Sequence, residues 1–169
     1  KLYTSENCGF GDVHLPDIEL HTSSFWLTLP GPVLVAAGYR GLDVVDGLLG
    51  LGRVLRQLAA LHLMCDVSDL GLALSDPEDE WVAAVCRDGR LSMRITSPFS
   101  QDDEERPAAQ LLSPTLFLYD GVPGGVGFAE KLYALFDTLL EESRQCILSC
   151  SCVTGCPSCV GPLGDIEEG

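Results

Sequence analysis

Four cysteines fall within one short run, CSCVTGCPSC at 150–159. They are Cys150, Cys152, Cys156 and Cys159, spaced C-x-C-x3-C-x2-C. Thiolates are soft ligands, and a structural Zn²⁺ takes four ligands tetrahedrally. A C-x2-C pair on a tight turn presents two sulfurs to one metal. Gly155 and Pro157 bracket Cys156, the first giving the backbone room to bend and the second fixing it. No His or carboxylate is interspersed, so all four ligands are thiolates. An iron–sulfur cluster is the rival occupant, because four thiolates satisfy it as well. Two disulfides are a further use of four cysteines. Bridged cysteines need Cα atoms about 4.4–6.8 Å apart with converging side chains, and two such bridges in this run would be strained. Nothing marks secretion, and thiols inside cells are kept reduced. A redox C-x2-C pair does not need two further cysteines beside it. The quartet leaves no open coordination position for water, which argues for a structural metal over a catalytic one.

The other cysteines, Cys8, Cys65, Cys86 and Cys146, are scattered and read as small buried hydrophobes. Cys146 is near enough in sequence to stand as an alternative ligand. The turn YDGVPGGVGFAE, with its glycines over Gly124–Gly127, follows a strand and opens a helix, the context of a phosphate loop. It fails both templates. A Walker A loop needs Lys where Phe128 stands, and the dinucleotide fingerprint needs Gly or Ala where Glu130 stands. A tight turn packing a helix on a sheet remains. Asp120 ends the strand and faces this turn; it either caps the helix through backbone N–H groups or meets a partner. His14, His21 and His62 lie far apart, and Asp66 and Asp69 flank element ends as capping residues. No catalytic set and no organic cofactor site can be named.

The elements that must carry the quartet follow from periodicity. Residues 1–19 are polar, broken by Gly and Pro, and read as a lead-in. ELHTSSFWLTLP suits a strand around Phe25-Trp26-Leu27-Thr28, stopped by Pro30 and Pro32. Over 42–65, Leu48, Leu51, Leu55 and Leu58 recur at helical spacing, with Arg53, Arg56 and Gln57 largely off the stripe. Gly47, Gly50 and Gly52 weaken that helix unless they let another backbone approach. Trp81–Cys86 and Leu91–Thr96 form a hairpin about Asp88-Gly89. SQDDEERPAAQ is a surface loop. TLFLYD at 115–120 is apolar throughout, which suggests a strand buried on both faces. Phe128, Leu132, Leu135, Leu139 and Ile147 mark one face of a second helix over 127–148. The sum is an α+β domain: a small sheet packed by two long helices, with a C-terminal four-cysteine knob.

The chain has 169 residues, 46% hydrophobic content and a net charge of −15. That supports one domain with a real core. Nucleic-acid faces are basic, so the chain is not expected to hold DNA tightly by itself; Arg53 and Arg56 offer at most a local basic patch. The acidic runs at 76–80, 102–105 and 165–168 read as solvated loops and a tail. The most apolar stretch carries Arg53, Arg56 and Gln57, so no membrane span is expected, and an intracellular, cytoplasmic location is the default. The first residue is Lys1, as in a processed chain or a piece of a longer protein.

Taken in order, ELHTSSFWLTLP, the Leu-rich helix running into LHLMCDVSDLG, TLFLYDGVPGGVGFAE and CSCVTGCPSC resemble the MrfA zinc-binding domain, found at the C-terminal end of MrfA-like superfamily 2 helicases. The resemblance divides the chain into a lead-in at 1–19, the zinc-binding domain at 20–162 and an acidic tail at 163–169. It implies one structural Zn²⁺ on Cys150, Cys152, Cys156 and Cys159. It also implies a parent ATP-dependent 3′–5′ DNA helicase of the DEAD/DEAH-box type, working in DNA repair. ATP and Mg²⁺ belong to that parent alone, since neither a Walker A motif nor a DEAH box occurs here. The implied partners are helicase motor domains in cis and single-stranded DNA through the parent. The alternative is a scaffold that partners a separate helicase in trans, in a phage-defence system. The hairpin after DPEDE reads as an elaboration on the family core.

Overall fold

A computed structural model describes residues 19–39, 41–76, 81–85, 91–95, 113–153 and 155–160. In chain order the elements are β1 (Ser24–Thr28), α1 (Gly31–Ala36), α2 (Gly41–Leu63), β2 (Leu70–Asp76), β3 (Trp81–Val85), β4 (Leu91–Ile95), β5 (Thr115–Asp120) and α3 (Phe128–Ser149). A 3-10 turn, Val67–Asp69, joins α2 to β2. The strands form one sheet in the order β1-β5-β2-β3-β4, and every pairing is antiparallel.

One face of the sheet makes the core. Leu70, Leu72 and Leu74 of β2 are fully buried, as are Leu116 and Leu118 of β5. Their register pairs Leu72 with Leu118 and Leu74 with Leu116, so the leucines stack on a single side. Phe25 and Leu27 of β1 pack against them. Helices α2 and α3 cover this face and each other, which gives the two-layer α+β architecture expected.

The helix bounds match the periodic stretches closely. Within α2 the buried band is wider than the leucine stripe: Val44, Val45, Leu48, Leu49, Leu55, Ala59 and Ala60 are buried, while Leu51 and Leu58 are only partly so. Gly52 explains how α2 lies so low on the sheet. A Cβ there would stand 2.7 Å from Leu72 Cδ1 and 2.8 Å from Leu116 Cδ1. The close approach is thus to leucine side chains, not to another backbone, and Gly47 faces open space.

Three sequence expectations change. Arg56 is no part of a basic patch: it is buried, and its Nε donates to the carbonyls of Leu70 at 2.6 Å and Val67 at 3.1 Å. Burial lowers the pKa of both Arg56 and Arg53, as the loss of hydration around a cation must. β5 is not buried on both faces, since Phe117 and Tyr119 are only half-buried. Tyr119 instead lies across Gly71, where a Cβ would meet its ring at 2.0 Å. Finally, β2 lies between β5 and β3 in a segment not read as a strand. Leu and Ala are weak strand formers, yet Leu70-Gly71-Leu72-Ala73-Leu74-Ser75 alternates with period two.

The expected hairpin is present as β3 and β4, pairing Trp81 with Ile95 and Val85 with Leu91. Its Asp88-Gly89 turn, Cys86 and Thr96 lie outside the described residues. So do His14, Cys8, the loop at 100–110 and the acidic run at 165–168.

Candidate metal centre

Helix α3 delivers the cysteine run to one place, and its own position is set at its N-terminus. The Asp120 carboxylate, at the end of β5, accepts N–H bonds through Oδ2 from Val126 at 2.5 Å, Gly127 at 3.0 Å and Phe128 at 3.3 Å. This satisfies donors that a helix start leaves orphaned. Gly127, the local cap residue, is left-handed at φ +89° and has no side chain to do so. Of the two roles open to Asp120, the cap is the one observed. Its Oδ1 is buried without a partner among the described residues. Gly124 and Gly125 are also left-handed, and a Cβ on Gly125 would sit 2.7 Å from Ser23 Oγ. The glycine run is therefore a tight turn folded around a carboxylate, which already takes the N–H groups that a phosphate would need.

Along its length α3 is held by buried Leu132, Leu139 and Ser143. Phe136 meets Phe25 of β1 with ring centroids 5.2 Å apart, and Glu142 bonds His62 of α2 at 2.8 Å. His21 pairs with Glu19 at the surface. Asp66 and Asp69 form a reciprocal capping box on the 3-10 turn, as their positions suggested.

The helix ends at Ser149, and Cys150 leaves in an extended conformation. Cys152 follows, and the chain then turns through Gly155, at φ +89°. A Cβ on Gly155 would meet Val160 Cγ2 at 2.9 Å, so glycine is required there by both conformation and space. The N–H groups of Cys159 and Val160 donate to the Cys156 carbonyl at 3.1 and 3.0 Å. That turn points both sulfurs of the C-x2-C pair the same way. Val160 then rests over Gly50 of α2, with its Cβ 3.5 Å from where a Cβ on Gly50 would stand. The knob is thereby seated on α2 as well as on the end of α3.

All four predicted sulfurs converge, lying within 4.8 Å of one another. The separations are 3.6 Å for Cys150–Cys156, 3.4 Å for Cys152–Cys159 and 3.7 Å for Cys156–Cys159. A tetrahedron with metal–sulfur bonds of about 2.3 Å has edges of about 3.8 Å. Disulfide sulfurs would be about 2.05 Å apart, and all four cysteines are free. An iron–sulfur cluster spreads its four thiolates over two or more irons, so that thiolates on different irons stand farther apart than the 4.8 Å that spans this whole group. The quartet thus fits a single tetrahedral ion. Cys159 is buried and the other three are half-buried. Cys146 does not join the group. Cys65 packs at the core edge, where burial, then Asp69 and Asp66, push its thiol pKa up.

Without a metal the sulfurs restrain one another. Hydrogen bonding, chiefly with Cys159 and then Cys150, pushes the Cys152 thiol up to about 12. The backbone N–H of Ser158, followed by that of Cys159, pulls Cys156 down to about 7. Cys156 therefore offers a cation a thiolate near neutral pH more readily than Cys152 does, and only the deprotonated sulfur is a ligand.

The chain is similar to proteins whose names bear on this geometry. Its alignment with the uncharacterized ATP-dependent helicase YprA of Bacillus subtilis (strain 168) is 33% identical over 161 residues, 95% of this chain but 17% of that protein. The uncharacterized protein MJ1572.1 of Methanocaldococcus jannaschii is 44% identical over 45 residues, 27% of this chain and 40% of that one. A crystal structure of the DUF1998 helicase MrfA bound to DNA matches 98% of this chain and 18% of its own at 30% identity, with a TM-score of 0.55. The same helicase with DNA and AMPPNP matches at 31% identity with a TM-score of 0.53, over 97% of this chain and 17% of that one. The sequence profile of the MrfA Zn-binding domain matches residues 51–160, from the middle of α2 through β2, β5 and α3 to Val160. With that span matched and four sulfurs gathered at its end, the chain belongs to the MrfA Zn-binding domain family.

Proposed function

We propose that Cys150, Cys152, Cys156 and Cys159 hold one structural Zn²⁺, and that residues 20–162 form an accessory domain of an ATP-dependent DNA helicase. Residues 1–19 are the lead-in and 163–169 the acidic tail. The observation that carries this is the convergence of the four sulfurs to near-tetrahedral spacing at the end of α3. The alignment of nearly the whole chain with about one-sixth of a helicase supports the accessory role. In this reading the zinc knob ties α3 to α2 and gives motor domains in cis a rigid surface. The parent is a cytoplasmic 3′–5′ helicase in DNA repair, and it supplies ATP, Mg²⁺ and most of the contact with single-stranded DNA. The net charge of −15 suits guiding a strand past the domain better than gripping one.

A second reading has its own support. The 45 matched residues make up 40% of MJ1572.1, so that protein is only about 110 residues long, too short for helicase motor domains. A unit of this kind that partners a separate helicase in trans, as in phage defence, is the alternative.

Elemental analysis of the purified chain is expected to give one zinc per molecule and no iron. Cys156→Ser should lose it, and the same change in the full-length parent should impair strand separation more than ATP hydrolysis. Zinc-free wild type, or undiminished unwinding by the variant, would overturn the reading.

A further inference from the structure

Most of a helix length from the sulfur cluster, about 25 Å at 1.5 Å per residue, the sheet edge meets the first turns of α3. A groove of about 450 Å³ opens there, lined by Ser24, Phe25, Trp26, Ala129, Glu130 and Tyr133. Two of its three aromatic residues are open to solvent, Trp26 at 62% and Tyr133 at 78% exposure. Among the described residues β1 pairs with β5 alone, so its outer edge keeps free backbone donors and acceptors. Exposed aromatics beside an unpaired strand edge are normally covered.

We infer that this groove docks an extended protein segment bearing an arginine or lysine. The segment's backbone adds to the sheet at β1. Its basic side chain lies on the α3 side of the sheet edge, with the aliphatic stem along the Tyr133 ring and the cationic head over its face, ending at the Glu130 carboxylate. A neighbouring residue of the segment covers Trp26, which alternates with the core-facing Phe25 and Leu27. Charge complementarity selects this occupant. Glu130 is the charged residue of the lining, and the chain as a whole is strongly acidic. Bases also stack on exposed aromatics, but the phosphates that accompany them would meet Glu130 with no lysine or arginine in the lining. The inference rests on the accessory-domain reading in taking the partner to be protein, the remainder of the helicase.

The test is backbone-amide NMR on the full, zinc-loaded chain, titrated with a capped threonine–valine–arginine–valine–threonine peptide. Saturable shifts are expected in β1, in the first turns of α3 and at the Trp26 indole. Trp26→Ala and Tyr133→Ala should each weaken binding at least about fivefold, and Glu130→Gln about three- to fivefold. All three side chains are exposed, and spectra elsewhere should stay unchanged. A peptide with glutamate in place of arginine should not bind. Equal binding of that control, indifference to Glu130→Gln, or no saturable shift would overturn the proposal. Oligothymidine shifting the Trp26 indole where the peptide does not would make the groove a nucleic-acid face instead. Zinc content measured on the same sample separates the two ideas. A loaded chain that ignores the peptide sinks only the groove, and a metal-free chain sinks the metal assignment.

Discussion

Cys156 and Cys152 share one cluster yet face opposite ways as acids. Backbone N–H groups stabilise the Cys156 thiolate, while neighbouring thiols keep Cys152 protonated. Metal binding must displace the protons that remain, so affinity falls as pH falls. Above about 7 Cys156 has already lost its proton and adds nothing to the slope. Below that, its proton joins those displaced and the dependence steepens, by up to about tenfold more per pH unit. Competition with a chromophoric chelator between about pH 8 and 6 should show that steepening; a flat profile would mean these thiols are not the ligands.

Two elements hang on single residues. Helix α3 starts on the Asp120 carboxylate, three residues of backbone N–H being bound by Oδ2. Asp120→Ala should cost about 1–3 kcal/mol, read as a lower urea midpoint with an unchanged slope; an unaltered midpoint would mean water caps the helix equally well. Helix α2 sits on the sheet because Gly52 has no Cβ. Intrinsic propensity favours alanine there by about 1 kcal/mol, but a methyl would overlap Leu72 and Leu116 in the core, and overpacking typically costs about 1–3 kcal/mol. Gly52→Ala is therefore expected to destabilise on balance. A rise in the melting temperature would show that the leucine ends move aside freely.

At the scale of the whole molecule, the zinc knob and the leucine core are separable. The core lies between the sheet and the helices, with Leu132 and Leu139 as its buried members on α3 and Phe128 and Leu135 packed against it. Beyond Ser143, the last turn of α3 has no fully buried side chain and depends on the knob, which itself seats on α2 through Val160 and Gly50. Chelation is expected to strip hydrogen-exchange protection from 144–160 while β2 and β5 keep theirs. Loss of protection throughout would instead make the metal a condition of the whole fold, as in small zinc modules.

Local pattern alone determined a good deal. The sulfur spacing pointed to one metal and picked out the four cysteines whose sulfurs converge, because a cysteine set this dense is a short-range property of the chain. The two long helices were legible from 3.6-residue periodicity, and the hairpin from two alternating runs. Only the tertiary structure decided the rest, because it turns on what faces what. Leu70–Asp76 became the strand between β5 and β3 through pairing partners far away in sequence. Arg56 went from a surface charge to a buried tie because the β2 carbonyls lie beneath it. Asp120 became a cap because β5 ends where α3 begins. The groove of Trp26, Glu130 and Tyr133 exists only where a strand edge and a helix about a hundred residues apart are brought together, and no window of sequence contains both.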